Sequence, residues 1–468
     1  MRRYIAIFIV AVTAVSCNFL DENLKGGYSS ENYFTTQGKA EMAVNAIYNS
    51  LYNNILWMFG DVASDDSVKG GADGDQPQIN EIDLLTANAD NGSVGSFWKD
   101  TYETIARANN AISSIEGMSL DEKVSSKLIA EAKFLRAYSY FNLVNIFGKV
   151  PLKTNPQDQS KNIHVGLSEI SDIYASIDAD LTYASANLGD EKNGRANRTA
   201  AYALLAKSKL FQGKYDDAVT AITALESVNA GYDLEPVYAD LFKSGGEDSI
   251  ESIFAIRYGN NKTASLGNNL NVWFAPFVEG GYNFNAPTDS YVACFDENTA
   301  LGDTDPRLDA SIGRDGKPWF NGETFKKEWG GATGYLVKKY DEDAVEDMAK
   351  AQSTIPQHRI RFAEVLLLKA EALNEANAAN VTTAAAALDQ VRNRAGLGKT
   401  TATTQSALRE AIRKERRREL GFEFHRFFDV MRYGKEYAVA ALGESAWPSD
   451  RYYFPIPQGE TDANAALK

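Results

Sequence analysis

The stretch EAKFLRAYSYFNLVNIFGKVPL, residues 131–152, decides the fold. Phe134, Ala137, Tyr138, Phe141 and Val144 recur at helical spacing and share one face, so the segment reads as a core helix. Upstream, Ser119-Leu120-Asp121-Glu122 has the form of a capping box, in which a hydroxyl and a glutamate satisfy the free amides of a first turn. A helix is therefore predicted from there to Phe147, with a break inside it. Gly148 and Pro151 stop it, since proline cannot supply the amide that a continued helix needs.

Working outward, the next clear unit follows Thr199, which is suited to cap a helix, and places Tyr202, Leu205, Ala206 and Leu210 together. Gly213-Lys214-Tyr215-Asp216-Asp217-Ala218 leads into a second helix, so 199–228 reads as a helical hairpin. Its small residues and aromatic are similar to those of a tetratricopeptide repeat. Comparable pairs are expected at 40–55 with 99–117, at 168–188, at 360–376 with 383–394, and from 405 onward. No fixed 34-residue period runs through them, which argues against a regular solenoid. Two stretches, 60–97 and about 245–340, are rich in Gly, Asn and Asp with aromatics interspersed, and are expected to be loops and short strands that carry binding.

Arg2 and Arg3, the apolar run Tyr4–Val15 and the small residue Ser16 have the order of a secretion signal. The run is 12 residues long, whereas a membrane-spanning helix needs ~20. Val15-Ser16-Cys17 resembles a lipobox, so residues 1–16 are expected to be removed and Cys17 acylated. With Cys17 modified, Cys294 has no partner for an intramolecular disulfide. A hydrophobic content of 44% with 24% charged residues is that of a globular domain with its own core. Sixty-three acidic against 48 basic residues give a net charge of −15, a field that repels nucleic acid and anionic lipid.

Several blocks, in order, resemble the SusD/RagB family: Cys17-Asn18-Phe19-Leu20-Asp21, Ser29–Phe34, the 131–152 stretch, NRTAAYALLAKSKLFQGKYDDAV at 197–219, and TGYLVKKY at 333–340. IRFAEVLLLKAEALNEAN at 360–377, LDQVRNRAGL at 388–397, IRKERRRELGFEFHRFFDVMRYGK at 412–435 and Tyr453–Pro457 complete the pattern. The family commonly continues into an Asn-Pro-Gly tail, which this chain lacks before Lys468. The resemblance implies a mostly α-helical, single-domain protein over 17–468 with tetratricopeptide-like helix pairs, long irregular loops and a few short strands. It further implies a surface lipoprotein of the outer membrane of a Bacteroidota-type bacterium. Such a protein captures nutrient for a SusC-like TonB-dependent transporter, with an oligosaccharide as the usual cargo and a peptide in some members.

The arginine-rich stretch Arg413, Lys414, Arg416, Arg417 and Arg418 interleaves with Glu415, Glu419 and Glu423 at helical spacing, which reads as ion pairing along one helix rather than a nucleic-acid patch. One or both of Glu364 and Glu371 in the apolar run 362–373 are expected to meet arginines of this network. Gly396-Leu397-Gly398-Lys399-Thr400 lacks the first glycine and the preceding strand of a phosphate loop and reads as a helix-ending turn. Three dispersed histidines support neither a zinc site nor a catalytic triad, and acid pairs such as Asp65-Asp66 or Asp303 with Asp305 follow from composition, so no enzyme and no cofactor is expected. Asp61, Asp65, Asp66, Asp73 and Asp75 could ligate calcium, although they lack the EF-hand order. Sugar faces need flat apolar surfaces with polar groups at the rim, which makes Asp73, Trp98, Trp273, Tyr282, Asn283 and Trp319 the candidate glycan platform. Phe274, Phe277 and Trp329 lie in the same excursion. The alternative for each is packing of the loops; the alternatives for the whole are a peptide cargo or a protein-binding tetratricopeptide-like scaffold.

Overall fold

The computed structural model describes residues 34–52, 55–156, 164–228, 231–259, 266–343, 350–443 and 451–468. The expected signal segment 1–16 and Cys17 lie outside them. Helix α1 (Gln37–Asn49) is followed by the two-residue strand β1 (Ser67–Val68) and α2 (Pro77–Asp83). The long pair α3 (Gly92–Glu116) and α4 (Glu122–Phe147) precedes α5 (Ile170–Asn187), α6 (Arg198–Phe211) and α7 (Tyr215–Ser227). After strand β2 (Ser252–Ile256) the chain makes single-turn helices and the short strands β3 (Ala286–Pro287), β4 (Ile312–Gly313) and β5 (Leu336–Val337). Strand β6 (Gln357–Arg361) leads into α8 (Phe362–Ala376), α9 (Val381–Arg394), α10 (Gln405–Leu420) and α11 (Arg426–Arg432). The mostly helical architecture is as the sequence indicated.

Helix α4 is unbroken, contrary to the sequence expectation, and burial explains why. From Leu128 to Phe147 only Lys133 reaches solvent, because α3, α5 and α6 pack around it. An amphipathic stripe is thus an incomplete description of a helix enclosed on all sides. Its buried arginine is paired: Arg136 donates to Asp180 of α5 at 2.7 Å and to Asn109 of α3 at 2.7 Å. The cap is Asp121, not Ser119, because its carboxylate reaches the amides of Lys123 and Val124 directly at 3.0 and 3.2 Å. In the same way Asn197, not Thr199, caps α6 by accepting from Ala200 N–H at 2.9 Å.

The helices pack in succession, α5 on α6, α6 on α7, α7 on α8, and α8 on α9 and α10, the last three sharing a core of Ala363, Leu367, Leu388, Val391 and Leu408. Gly396, at φ +78, ends α9 as the sequence indicated.

The acidic and basic residues of α10 pair along the helix at Arg413 with Glu410, 2.9 Å, and Arg418 with Glu415, 3.7 Å, but most of their partners lie on other elements. Arg416 reaches Asp429 at 3.0 Å, Arg417 reaches Asp65 at 3.0 Å, and Arg418 reaches Glu297 at 2.8 Å. Glu415 and Glu419 take the fully buried Arg307 at 2.6 and 2.8 Å. Glu423 takes Arg361 at 2.6 Å and Lys339 at 2.7 Å. Burial by itself raises the Glu419 carboxyl, but Arg394, Arg361 and Arg307 overcome it and hold the group well below the carboxylate range. Glu371 meets Arg432, at 2.8 Å for its second oxygen, whereas Glu364 meets Lys207 at 2.8 Å. Through Asp65 and Arg307 the network ties both irregular excursions to the helical scaffold.

Candidate functional site

The two excursions also meet each other. Strands β1 and β3 pair antiparallel, Ser67 opposite Pro287 and Val68 opposite Ala286, which brings the glycine-rich loop after Val68 onto the loop before Ala286. The second loop starts from the one-turn helix Leu270–Phe274, anchored where Trp273 and Phe274 meet Trp57 edge-on at 5.5 and 5.1 Å. It turns through Phe277–Glu279 and Gly280, whose φ of +79 suits glycine. It then returns over its own start: Tyr282 N–H donates to the Val272 carbonyl at 2.9 Å, Asn283 N–H to Ala275 at 3.1 Å, and Phe284 N–H to Trp273 at 2.8 Å.

This clip leaves an apolar tip in water. Phe277 is 52% exposed, Val278 67% and Tyr282 45%, three of the most exposed large apolar side chains among the described residues within six positions. The Tyr282 ring stacks on Phe284, centroids 5.3 Å apart and planes 23° apart, and Phe284 is buried. The glycine-rich loop sits directly on this base. A Cβ on Gly70 would collide with the Asn283 carbonyl, and one on Gly71 would stand 2.9 Å from the Phe284 ring. Lys69 fixes the loop, donating its amide to Asp83 at 2.8 Å and its ammonium to the Ala72 carbonyl at 2.9 Å while pairing with Asp75. Burial pushes the Asp83 carboxyl up to about 6 against that amide bond. Asp73 stands exposed at the rim.

Asn283 is buried in the left-handed region at φ 52, and among the described residues its Oδ1 accepts no hydrogen bond. Beneath the tip, Trp319 is only 6% exposed and donates Nε1–H to Glu279 at 2.7 Å. Glu279 also pairs with Lys350, which pairs with Asp341; burial pushes the Asp341 carboxyl up to about 7 despite that ammonium.

The fold thus gathers Asp73, Trp273, Tyr282 and Asn283, with Trp319 as a brace from below. Three corrections follow. Trp319 offers no free face because Phe320 and Phe325, both at 5.0 Å, and Glu279 occupy its surroundings. Trp98, 2% exposed, packs in α3 against Phe147 at 5.0 Å and Tyr102 at 4.9 Å, so its ring is core and not a platform. It lines a separate cavity of about 220 Å³ with Tyr102, Lys153 and Glu460. Asn283 likewise is not at the surface. Asp61 and Asp66 are buried, Asp65 is half-buried, and the three are engaged by Asn285, Arg417 and Arg426, an arrangement of protein hydrogen bonds and ion pairs. Sequence reading missed Phe284, Glu279 and Gly70-Gly71; the adjacent glycine pairs at 70–71 and 280–281 were the available signal.

A sequence model described as "SusD family" matches residues 250–468, and one described as "Starch-binding associating with outer membrane" matches 18–210. SusD-like protein P2 of Formosa agariphila is 28% identical over 92% of this chain and 91% of its own. Among solved structures, a laminarin-binding SusD-like protein superposes with a TM-score of 0.77 at 28% identity, covering 91% of this chain and 97% of that one. Surface glycan-binding protein A from Bacteroides fluxus gives 0.76 at 27% identity, covering 92% and 97%.

Proposed function

This chain belongs to the SusD/RagB family, and on that premise we propose that it binds an oligosaccharide at the cell surface and passes it to a SusC-like TonB-dependent transporter without breaking a bond. In this reading residues 1–16 are a signal removed at an acylated Cys17, and residues 17–468 form one nutrient-binding domain on the outer membrane. The observation that carries the proposal is the exposed Tyr282 ring seated on Phe284 beside Phe277 and Val278. A flat apolar face held rigid in water suits the C–H face of a sugar ring, and Asp73 at the rim suits its hydroxyls. The names of the relatives, one laminarin-binding and one surface glycan-binding, point the same way.

Covering about 50 Å² of sugar face at ~25 cal/mol per Å² yields about 1 kcal/mol, so a micromolar complex needs several rings in contact. An extended chain lying across the tip, with Tyr282 as its central contact, meets that need. Calorimetric titration with laminari-oligosaccharides, other neutral oligosaccharides and peptides tests the reading. Tyr282→Ala is expected to weaken saccharide binding about tenfold or more, while Trp98→Phe leaves it unchanged. Binding of peptides alone assigns a peptide cargo instead, and binding of no small molecule leaves a protein-binding helical scaffold.

A further inference from the structure

We propose a second ligand site, separate from the Tyr282 platform, in the cleft between the end of α1, the loop 193–195 and strand β2, and assign to it a small ligand carrying a carboxylate on a ring-sized apolar body. The cleft has a volume of about 300 Å³, at the low end of small-molecule sites. In a chain of net charge −15, the described residues that line it include two arginines, Arg195 and Arg257, and no carboxylate. Each arginine has a carboxylate partner just outside the lining, Glu131 for Arg195 and Asp248 for Arg257, so what the cleft offers an anion is guanidinium N–H donors in a locally balanced field.

Both guanidinium groups are held in place, Arg195 by Glu131 outside the cleft and by Asn45 and Tyr48 of its wall, and Arg257 by Glu247 and Asp248 outside it. Arg195 donates Nε–H to the buried Glu131 at 2.6 Å, donates a second bond to Asn45, and rides 4.8 Å from the Tyr48 ring centre. Arg257 spends one terminal nitrogen on the Glu247 carbonyl at 3.2 Å and on Asp248 at 2.8 Å. Among the described residues, Nη2 of Arg195 and Nε and Nη1 of Arg257 have no hydrogen-bond partner. Gly194 makes room for this arrangement, since at φ +82 a Cβ there would collide with the Arg257 guanidinium. Guanidinium donors held in place suit a carboxylate, whose two oxygens accept charge-assisted bonds. The apolar wall of Leu51, Phe254 and Ile256 with the half-buried Tyr52 ring suits the body of a ring behind the charge.

A uronic acid and the C-terminus of a short peptide share this chemistry. The test is calorimetric titration of the purified protein with digalacturonic acid, its dimethyl ester, and the dipeptide Ala-Phe. The free acid or the dipeptide is expected to bind, with the ester at least tenfold weaker than the acid. Arg257→Gln is expected to lower the affinity for the carboxylate about tenfold while neutral oligosaccharide binding at the Tyr282 platform stays unchanged. Asn45→Asp keeps the acceptor for Arg195 but places a charge in the cleft, and is expected to act in the same direction. Binding of the acid but not the dipeptide names a saccharide source, and the reverse a peptide source. Equal binding of acid and ester, indifference to both substitutions, loss in Tyr282→Ala instead, or no binding of either carboxylate overturns the assignment.

Discussion

The segment around α10 and the loop tip around Tyr282 invert the usual places of charge and apolar surface. Around α10, Glu415, Glu419 and Glu423 are buried with Arg307 and Arg361, while at the tip Phe277, Val278 and Tyr282 stand in water. The charged side chains are there to hold segments distant in the chain, because a buried ion is tolerable only when its partners are fixed around it. The apolar side chains are outside because the clip through Val272, Trp273 and Ala275 gives them no other place. Polarity alone therefore misplaces both regions; pairing partners and backbone closure place them.

The comparison breaks most readily at Arg361. Arg361→Ala leaves Glu419, Glu423 and Glu251 short of a shared cation and is expected to cost about 3–5 kcal/mol of stability by denaturant unfolding. A loss below about 1 kcal/mol shows that the network is not what holds the excursions to the scaffold.

Acid tests the same region. His358 is buried, with Nε2–H donating to the Leu241 carbonyl at 2.8 Å, and burial lowers its pKa from 6.5 to about 4. A base whose pKa is depressed on folding contributes stability above its unfolded value that is lost as pH falls through the folded one. Stability is thus expected to drop between pH 6.5 and 4, by an amount on the order of 3 kcal/mol, and His358→Gln is expected to flatten that drop. An unchanged slope in the variant assigns the acid response to other groups.

The smallest effect sharpens the other side. Phe284→Leu removes the ring beneath Tyr282 while keeping the site filled, and is expected to weaken saccharide binding about threefold by calorimetry. Stability is expected to fall by less than about 1.5 kcal/mol. An unchanged affinity indicates that Tyr282 needs no support from its neighbour.

Much of the scaffold was legible in the chain. The helix ending at Gly148, the hairpin across Gly213 and the turn at Gly396 follow from periodicity and stop residues, which are local properties. Helix starts were displaced by two residues at Ser119 and Thr199 because a nearer Asp and Asn compete for the same amides. Ion pairing in 413–423 was legible as a type of interaction, but its partners at Asp65, Glu297, Arg307 and Arg361 come from far along the chain. The candidate site was legible only in part: Tyr282 and Asp73 stand in water, whereas Trp98, Trp319 and Asn283 are inside. A tryptophan in a loop-rich sequence carries no mark of whether its ring packs or protrudes.

The sequence by itself determined most of the long helices, where they stop, and the family pattern that runs from Cys17 to Pro457, because helix periodicity and capping act within a few residues of one another. The short helix α2 and the first turns of α3 fall in the stretch 60–97 that reads as loop and strand. The tertiary structure alone decided which aromatic rings face water and which acids meet which bases. Those outcomes depend on the pairing of β1 with β3 and on the seating of Gly70-Gly71 over Phe284, contacts between residues more than two hundred positions apart that no local rule specifies.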